Sequence, residues 1–124
     1  MPMKALIVDD SRAMRMILSK ILKEIGFEIT EAGHGREALT RARTLTDAPD
    51  LFLVDWNMPE MNGLELVHAL RADRFYDSSR IMMVTTETEL GHVAQALQAG
   101  ADEYMMKPFN KDAVVDKLKL LGMA

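Results

Sequence analysis

Short apolar runs and helical repeats take turns along this chain of 124 residues, and no other feature restricts its fold as tightly. Lys4 to Val8 is a continuous apolar run that stops at Asp9-Asp10, the pattern of a parallel strand buried on both faces. From Arg12 the period changes: Met14, Ile17, Leu18, Ile21, Leu22 and Ile25 share one helical face, and Gly26 supplies the stop. Phe27 to Thr30 reads as a second strand, and Arg36 to Thr44 as a helix turning Ala38, Leu39 and Ala42 inward. Asp50 to Val54 is the third and most apolar strand, ending at Asp55. After a loop containing proline, Asn62 is placed to cap a helix bearing Leu64, Val67 and Leu70. Ile81 to Val84 is a fourth strand ending at Thr85-Thr86, followed by a helix with Leu90, Val93, Ala94 and Leu97 that stops at Gly100. Tyr104 to Met106 forms a fifth strand before Lys107-Pro108, and a last helix carries Val114, Leu118 and Leu121. This (βα)5 alternation predicts an α/β fold, a doubly wound five-stranded parallel sheet with helices on both faces and right-handed crossovers. Alternation alone does not fix strand order; the order expected is the flavodoxin-like 2-1-3-4-5.

At 13.9 kDa the chain is the size of one domain, 1–124, with no appended effector domain expected. Hydrophobic residues at 48% and charged ones at 27% exclude a disordered chain. No apolar run reaches the roughly 18–20 residues of a membrane span, and the Met1-to-Ala5 start is no signal peptide. A cytoplasmic protein without membrane insertion is expected. Zero cysteines exclude disulfide scaffolds, zinc fingers and thiol nucleophiles. A net charge of −4, from 15 basic and 19 acidic residues, weighs against nucleic acid as partner.

Ligands of open α/β sheets bind beyond the carboxyl ends of the strands, where strand order reverses. Those ends carry Asp9 and Asp10, Asp55, Thr85 and Lys107. Three carboxylates, a hydroxyl and an ammonium therefore gather on one rim. Carboxylates packed together repel, so at neutral pH they require a cation or raised pKa values. With no His or Cys nearby in sequence, hard oxygen ligands favour Mg²⁺, Mn²⁺ or Ca²⁺ over zinc. One carboxylate at such a rim is able to attack phosphorus while a metal and a lysine neutralise the phosphoryl oxygens.

With their neighbours, these residues resemble the receiver domains of two-component response regulators, and most of all the stand-alone chemotaxis receivers. The resemblance rests on Ile7-Val8-Asp9-Asp10, on the run from Asp55-Trp56-Asn57-Met58-Pro59 to Leu66, on Met83-Val84-Thr85, and on Gly100-Ala101, Tyr104 and Lys107-Pro108-Phe109. It spans residues 3–122 in family order. It implies that Asp55 accepts a phosphoryl group from the phosphohistidine of a sensor histidine kinase. It implies Mg²⁺, with Mn²⁺ as substitute, held by the Asp10 and Asp55 side chains and the Asn57 backbone carbonyl, with Asp9 helping through water. Lys107 would pair with the phosphoryl group, Thr85 would turn to hydrogen-bond it, and Tyr104 would follow from an exposed to a buried position. The Lys107-Pro108 bond is expected to be cis. Asn57 and Glu87, two residues beyond acceptor and threonine, tune lifetime in this family, and this pair implies a short-lived phosphoryl state. Thr86 departs from the Ala, Gly or Ser usual there, and its methyl would narrow access to the site. The implied output face joins helix four, strand five and helix five and holds Leu90, Leu97, Ala101, Tyr104, Met106 and Lys117. A flagellar motor switch protein or another protein target would read it, a phosphatase being a further partner. The chain is expected to be a monomer that assists its own phosphorylation without acting on an external substrate.

Other readings compete. Handing the phosphoryl group onward to a histidine, or acting as a phosphate sink, fits Asn57 and Glu87 equally well. A haloacid-dehalogenase-type hydrolase needs a second aspartate two residues beyond its nucleophile, where this chain has Asn57. Gly33-His34-Gly35-Arg36-Glu37-Ala38 satisfies a dinucleotide fingerprint but follows strand two, so a plain tight turn is expected. Asp55-x-Asn57 is similar to a calcium loop, yet Pro59 and Leu66 stand where ligands are needed. His34, His68 and His92 lack metal spacing, and the charges from Arg36 to Arg43 suit a solvated helix face. Of the 11 methionines, Met14, Met16 and Met83 are expected to fill core gaps, and Met58, Met61 and Met106 to lie exposed. Taken alone, Leu97 reads as core.

Overall fold

A computed structural model describes residues 2–86 and 91–124. Strands β1 (Lys4–Val8), β2 (Glu28–Ala32), β3 (Leu51–Asp55), β4 (Arg80–Thr85) and β5 (Glu103–Met106) alternate with helices α1 (Arg12–Ile25), α2 (Gly35–Thr44), α3 (Gly63–Arg71), α4 (Val93–Ala99) and α5 (Lys111–Leu120). All pairings are parallel and the order is β2-β1-β3-β4-β5, so the chain doubles back between β1 and β3.

Strand alternation divides the core into two layers. Leu6, Val8, Phe52, Val54, Ile81 and Met83 point to one face, where α2 and α3 cover them with Ala38, Ala42, Leu66, Val67 and Leu70. Ala5, Ile7, Leu51, Leu53, Met82 and Val84 point to the other, against Leu18, Ile21 and Leu22 of α1 and Val114 and Leu118 of α5. The helices start where side chains satisfy their first amides. Ser11 accepts from the Met14 amide, Asn110 from that of Ala113, and Asn62 forms a reciprocal capping box with Glu65. Gly26 ends α1 at φ 115°, donating to the Leu22 and Lys23 carbonyls.

Several expectations are corrected. Strand two begins at Glu28, because the Phe27 amide donates to the Leu22 carbonyl and closes the α1 terminus. It runs on to Ala32, since Glu31 and Ala32 pair with Ile7 and Val8; the polar residues of this edge strand hide its length. Met16 is 62% exposed and Ile17 50%, so the buried stripe of α1 is narrower than its apolar pattern. Met58 is buried and packs under α3, whereas it was expected in solvent. Leu97, read as core, is 42% exposed: α4 turns Ala96 inward, and Ala94 lies on the exposed side with Leu97. The expected positions Glu87 and Leu90 lie outside the described residues.

Candidate functional site

The carboxyl ends of β1, β3, β4 and β5 bring the charged rim together. Asp55 is the last residue of β3 and opposes Val84, and Thr85 ends β4 opposite Met106. Asp9 extends β1 by one bond, its amide donating to the Ala32 carbonyl. The Lys107 amide donates to the Thr85 carbonyl at 2.7 Å, tying the residue after β5 to the end of β4. The Lys107-Pro108 peptide is cis, as expected.

Carboxylate oxygens of Asp9, Asp10 and Asp55 lie within 4.8 Å of one another, the first and last buried and Asp10 exposed. Lys107 Nζ donates to Asp55 Oδ1 at 3.2 Å and stands 3.8 Å from Asp9 Oδ2. Asp9 Oδ1 accepts from the Ser11 amide at 2.8 Å. Asp9 Oδ2 is buried without a hydrogen-bond partner among the described residues. Burial, then the Asp9 charge, push the Asp55 carboxyl up to about 6 against the opposing pull of Lys107. Burial likewise raises Asp9, opposed by the Ser11 amide and Lys107. The Lys107 ammonium is thus shared by the two buried carboxylates of the three. An unpartnered buried carboxylate oxygen and two raised acids are what a hard divalent cation would satisfy, so the donor set fits Mg²⁺.

The remaining expected residues are placed around this cluster. Thr85 is buried, its hydroxyl donating to the Thr86 carbonyl at 3.2 Å, and Asn57 is exposed in the loop after β3. Tyr104 is half-buried, with Lys117 Nζ 4.5 Å from its ring centre and also 3.3 Å from Glu103. Leu97 and Met106 are exposed on this side, but Ala101 is buried beneath it and offers little surface. His34 uses Nδ1 to cap α2, and Gly35 lets Met61 close on the helix start, where a Cβ would lie 2.8 Å from Met61 Sδ. The dinucleotide-like turn is therefore a helix cap.

Three supports escaped sequence reading. Arg15 donates to the Asp9 carbonyl and to Glu31, fixing the end of β1. Gly63 lies against the backbone of the site, since a Cβ there would sit 2.8 Å from the Asp55 carbonyl oxygen. Trp56 is held at both ends, its amide donating to Val84 and its carbonyl accepting from Gly63. Only Gly63 carried a signal, a glycine directly after a helix cap.

An acidic cluster at the switch point of a 2-1-3-4-5 sheet, with a lysine across from the central aspartate, defines a class of protein. The chain belongs to the response regulator receiver domain family, whose pattern matches residues 5–119. Within the family it is CheY-like. It is 43% identical over 120 residues to the chemotaxis protein CheY1 of Helicobacter pylori, covering 96% of each chain. It is 44% identical over 118 residues to the chemotaxis protein CheY homolog of Campylobacter jejuni, covering 94% of this chain and 90% of that one. The crystal structure of the Vibrio cholerae chemotaxis protein CheY4 superimposes with a TM-score of 0.88 at 36% identity, covering 97% of this chain and 98% of that one. Among the described residues, no helix is long and apolar enough to cross a membrane.

Proposed function

We propose that this chain is a phospho-switch that takes a phosphoryl group from a histidine kinase onto Asp55 and is read by a protein target in chemotaxis. The observation that supports it most is Asp55 itself: a buried strand-end carboxylate with Lys107 3.2 Å away and two further carboxylates beside it. With a pKa of about 6, Asp55 is largely ionised at neutral pH and available as a nucleophile. One carboxylate oxygen attacks phosphorus, the P–N bond of the donor breaks, and the imidazole leaves with the bonding pair and takes up a proton. The product adds about −1.5 to −2 charge to an acidic pocket. Lys107 supplies one compensating charge. Asp10, Asp55 and the Asn57 carbonyl, with Asp9 through water, would hold Mg²⁺, which when bound neutralises phosphoryl oxygens. Thr85 exchanges its bond to the Thr86 carbonyl for one to the phosphoryl group, and Tyr104 follows.

The chemotaxis reading is supported by the relatives of similar length, and a flagellar motor switch protein is the favoured target. Incubation with radiolabelled acetyl phosphate and Mg²⁺ tests the acceptor. Asp55→Asn is expected to abolish labelling, and undiminished labelling of that variant would move the acceptor elsewhere.

A further inference from the structure

The loop from β3 to α3 carries Asn57 and holds a strained turn. The Met61 amide donates to the Pro59 carbonyl at 2.7 Å across Glu60, whose φ is 66°. That bond closes a three-residue γ-turn with a positive φ at its centre, a conformation that persists only where its surroundings hold it. Glu60 itself is exposed, so the holding comes from its neighbours. On one side Met58 is buried with the residues of α3. On the other Met61 seats on Gly35, the first residue of α2. A Cβ on Gly35 would lie 2.8, 2.9 and 3.0 Å from Met61 Sδ, Cγ and Cβ, so the approach requires a glycine. The seat is fixed in turn, because His34 Nδ1 accepts from the Glu37 amide and the Glu37 carboxylate accepts from the Gly33 amide.

We propose that Met61, seated on Gly35, is a positioning residue for the cation site: it holds the strained loop so that the Asn57 backbone carbonyl is in place before the ion arrives. The inference rests on the phospho-switch reading above, in which that carbonyl helps to hold Mg²⁺. Asn57 stands four residues before Met61. Between them Pro59 has a restricted φ and Glu60 is closed into the turn, so little slack absorbs a shift of Met61 before it reaches Asn57. A loop freed of its seat relaxes out of the strained turn. Its carbonyl must then be ordered at the moment of binding, and that ordering weakens affinity. Loss of the contact therefore lowers Mg²⁺ affinity. The Gly33-His34-Gly35 turn, dinucleotide-like in sequence, serves here as the platform under the loop.

Mg²⁺ titration of the intact chain, followed by the backbone amide resonances of Asp10 and Trp56 and with no phosphoryl donor present, tests this. Met61→Ala and Gly35→Ala are each expected to weaken Mg²⁺ binding about tenfold. Met61→Leu keeps a side chain of similar volume on the glycine and is expected to stay within about twofold of the parent. Gly35→Ala combined with Met61→Ala is expected to match Met61→Ala alone, since the added methyl then has little to displace. Parent affinity in folded Met61→Ala or Gly35→Ala would overturn the seat, as would a Met61→Leu variant as weak as Met61→Ala. Losses that multiply in the double variant would show the two residues acting apart, and would overturn it too. If Gly35→Ala fails to fold, the two single variants at Met61 decide alone. A parent chain that binds no Mg²⁺ would overturn the cation site of the phospho-switch reading, and the seat with it.

Discussion

Asp55 is ionised at a cost to the fold. Its carboxyl is raised to about 6 from an ordinary value of about 4, by burial first and the Asp9 charge second. Between those two pH values the folded chain keeps a proton that the unfolded chain has already released, so stability falls as pH rises through the window. Asp9, also raised by burial, acts in the same direction. Metal-free protein is therefore expected to lose stability between pH 4 and pH 7, by up to about 3 kcal/mol from Asp55 alone. Asp55→Asn should abolish most of that decline and exceed the parent chain in stability at pH 7.5, the gap closing toward pH 4. Urea denaturation across this range checks it, and a variant with the parent's pH slope would mean the strain lies elsewhere. This acidic mismatch is also why the carboxylate cluster suits a divalent cation: alone, the site carries charge it cannot satisfy.

Two residues outside the carboxylate cluster join elements, Arg71 at the amino-end edge of the sheet and Gly63 beside Asp55. Arg71, at the end of α3, donates to the Gly100 carbonyl through Nε, and its terminal nitrogens reach the Tyr76 and Ser79 carbonyls and the Asp102 carboxylate, all at 2.8–2.9 Å. One guanidinium therefore pins the α3–β4 connection and the α4–β5 turn together. Its planar fork is what lysine lacks, so Arg71→Lys is expected to recover little of the roughly 2–4 kcal/mol lost in Arg71→Ala. Chemical denaturation of both variants measures this, and full recovery by lysine would reduce the role to charge. Gly63 acts at the start of the same helix. An added methyl meets the Asp55 carbonyl and the Trp56 Cα at 2.8 and 3.0 Å, backbone that has no room to give. Gly63→Ala should cost about 1–3 kcal/mol and slow labelling by acetyl phosphate. Unaltered labelling kinetics would show that the β3–α3 loop tolerates the shift.

Across the whole molecule, the pocket and the face around Tyr104 meet through β4 and β5. Thr85 pairs with Met106 and accepts from the Lys107 amide, so the pocket and the exposed edge share one ladder. Leu97 and Met106 are exposed on that edge and Tyr104 lies under the Lys117 ammonium, so the proposed reader would meet these side chains there. Capture of motor-switch protein in the presence of beryllofluoride and Mg²⁺ is expected to fall about tenfold in Tyr104→Ala. Unchanged capture would place the reader on another face, and capture of a histidine phosphotransfer protein alone would favour the sink.

The amino-acid sequence determined the alternation, the parallel class and the polar strand ends, because each follows from local period and from what stands where an apolar run stops. The Asp9, Asp10, Asp55, Thr85 and Lys107 rim was legible for that reason. Packing of individual side chains was not. Leu97 and Met16 look like core in a one-dimensional pattern, yet whether an apolar residue is covered depends on how wide a stripe the neighbouring elements present. Met58 was misplaced for the converse reason: a loop residue becomes buried when a following helix closes over it. Strand order, the single lysine shared by two buried carboxylates, the four carbonyl and carboxylate contacts of Arg71 and the seat of Met61 on Gly35 join residues from 5 to 52 positions apart or more, so only the tertiary structure decided them. Local chemistry named the groups; long-range packing set which of them meet.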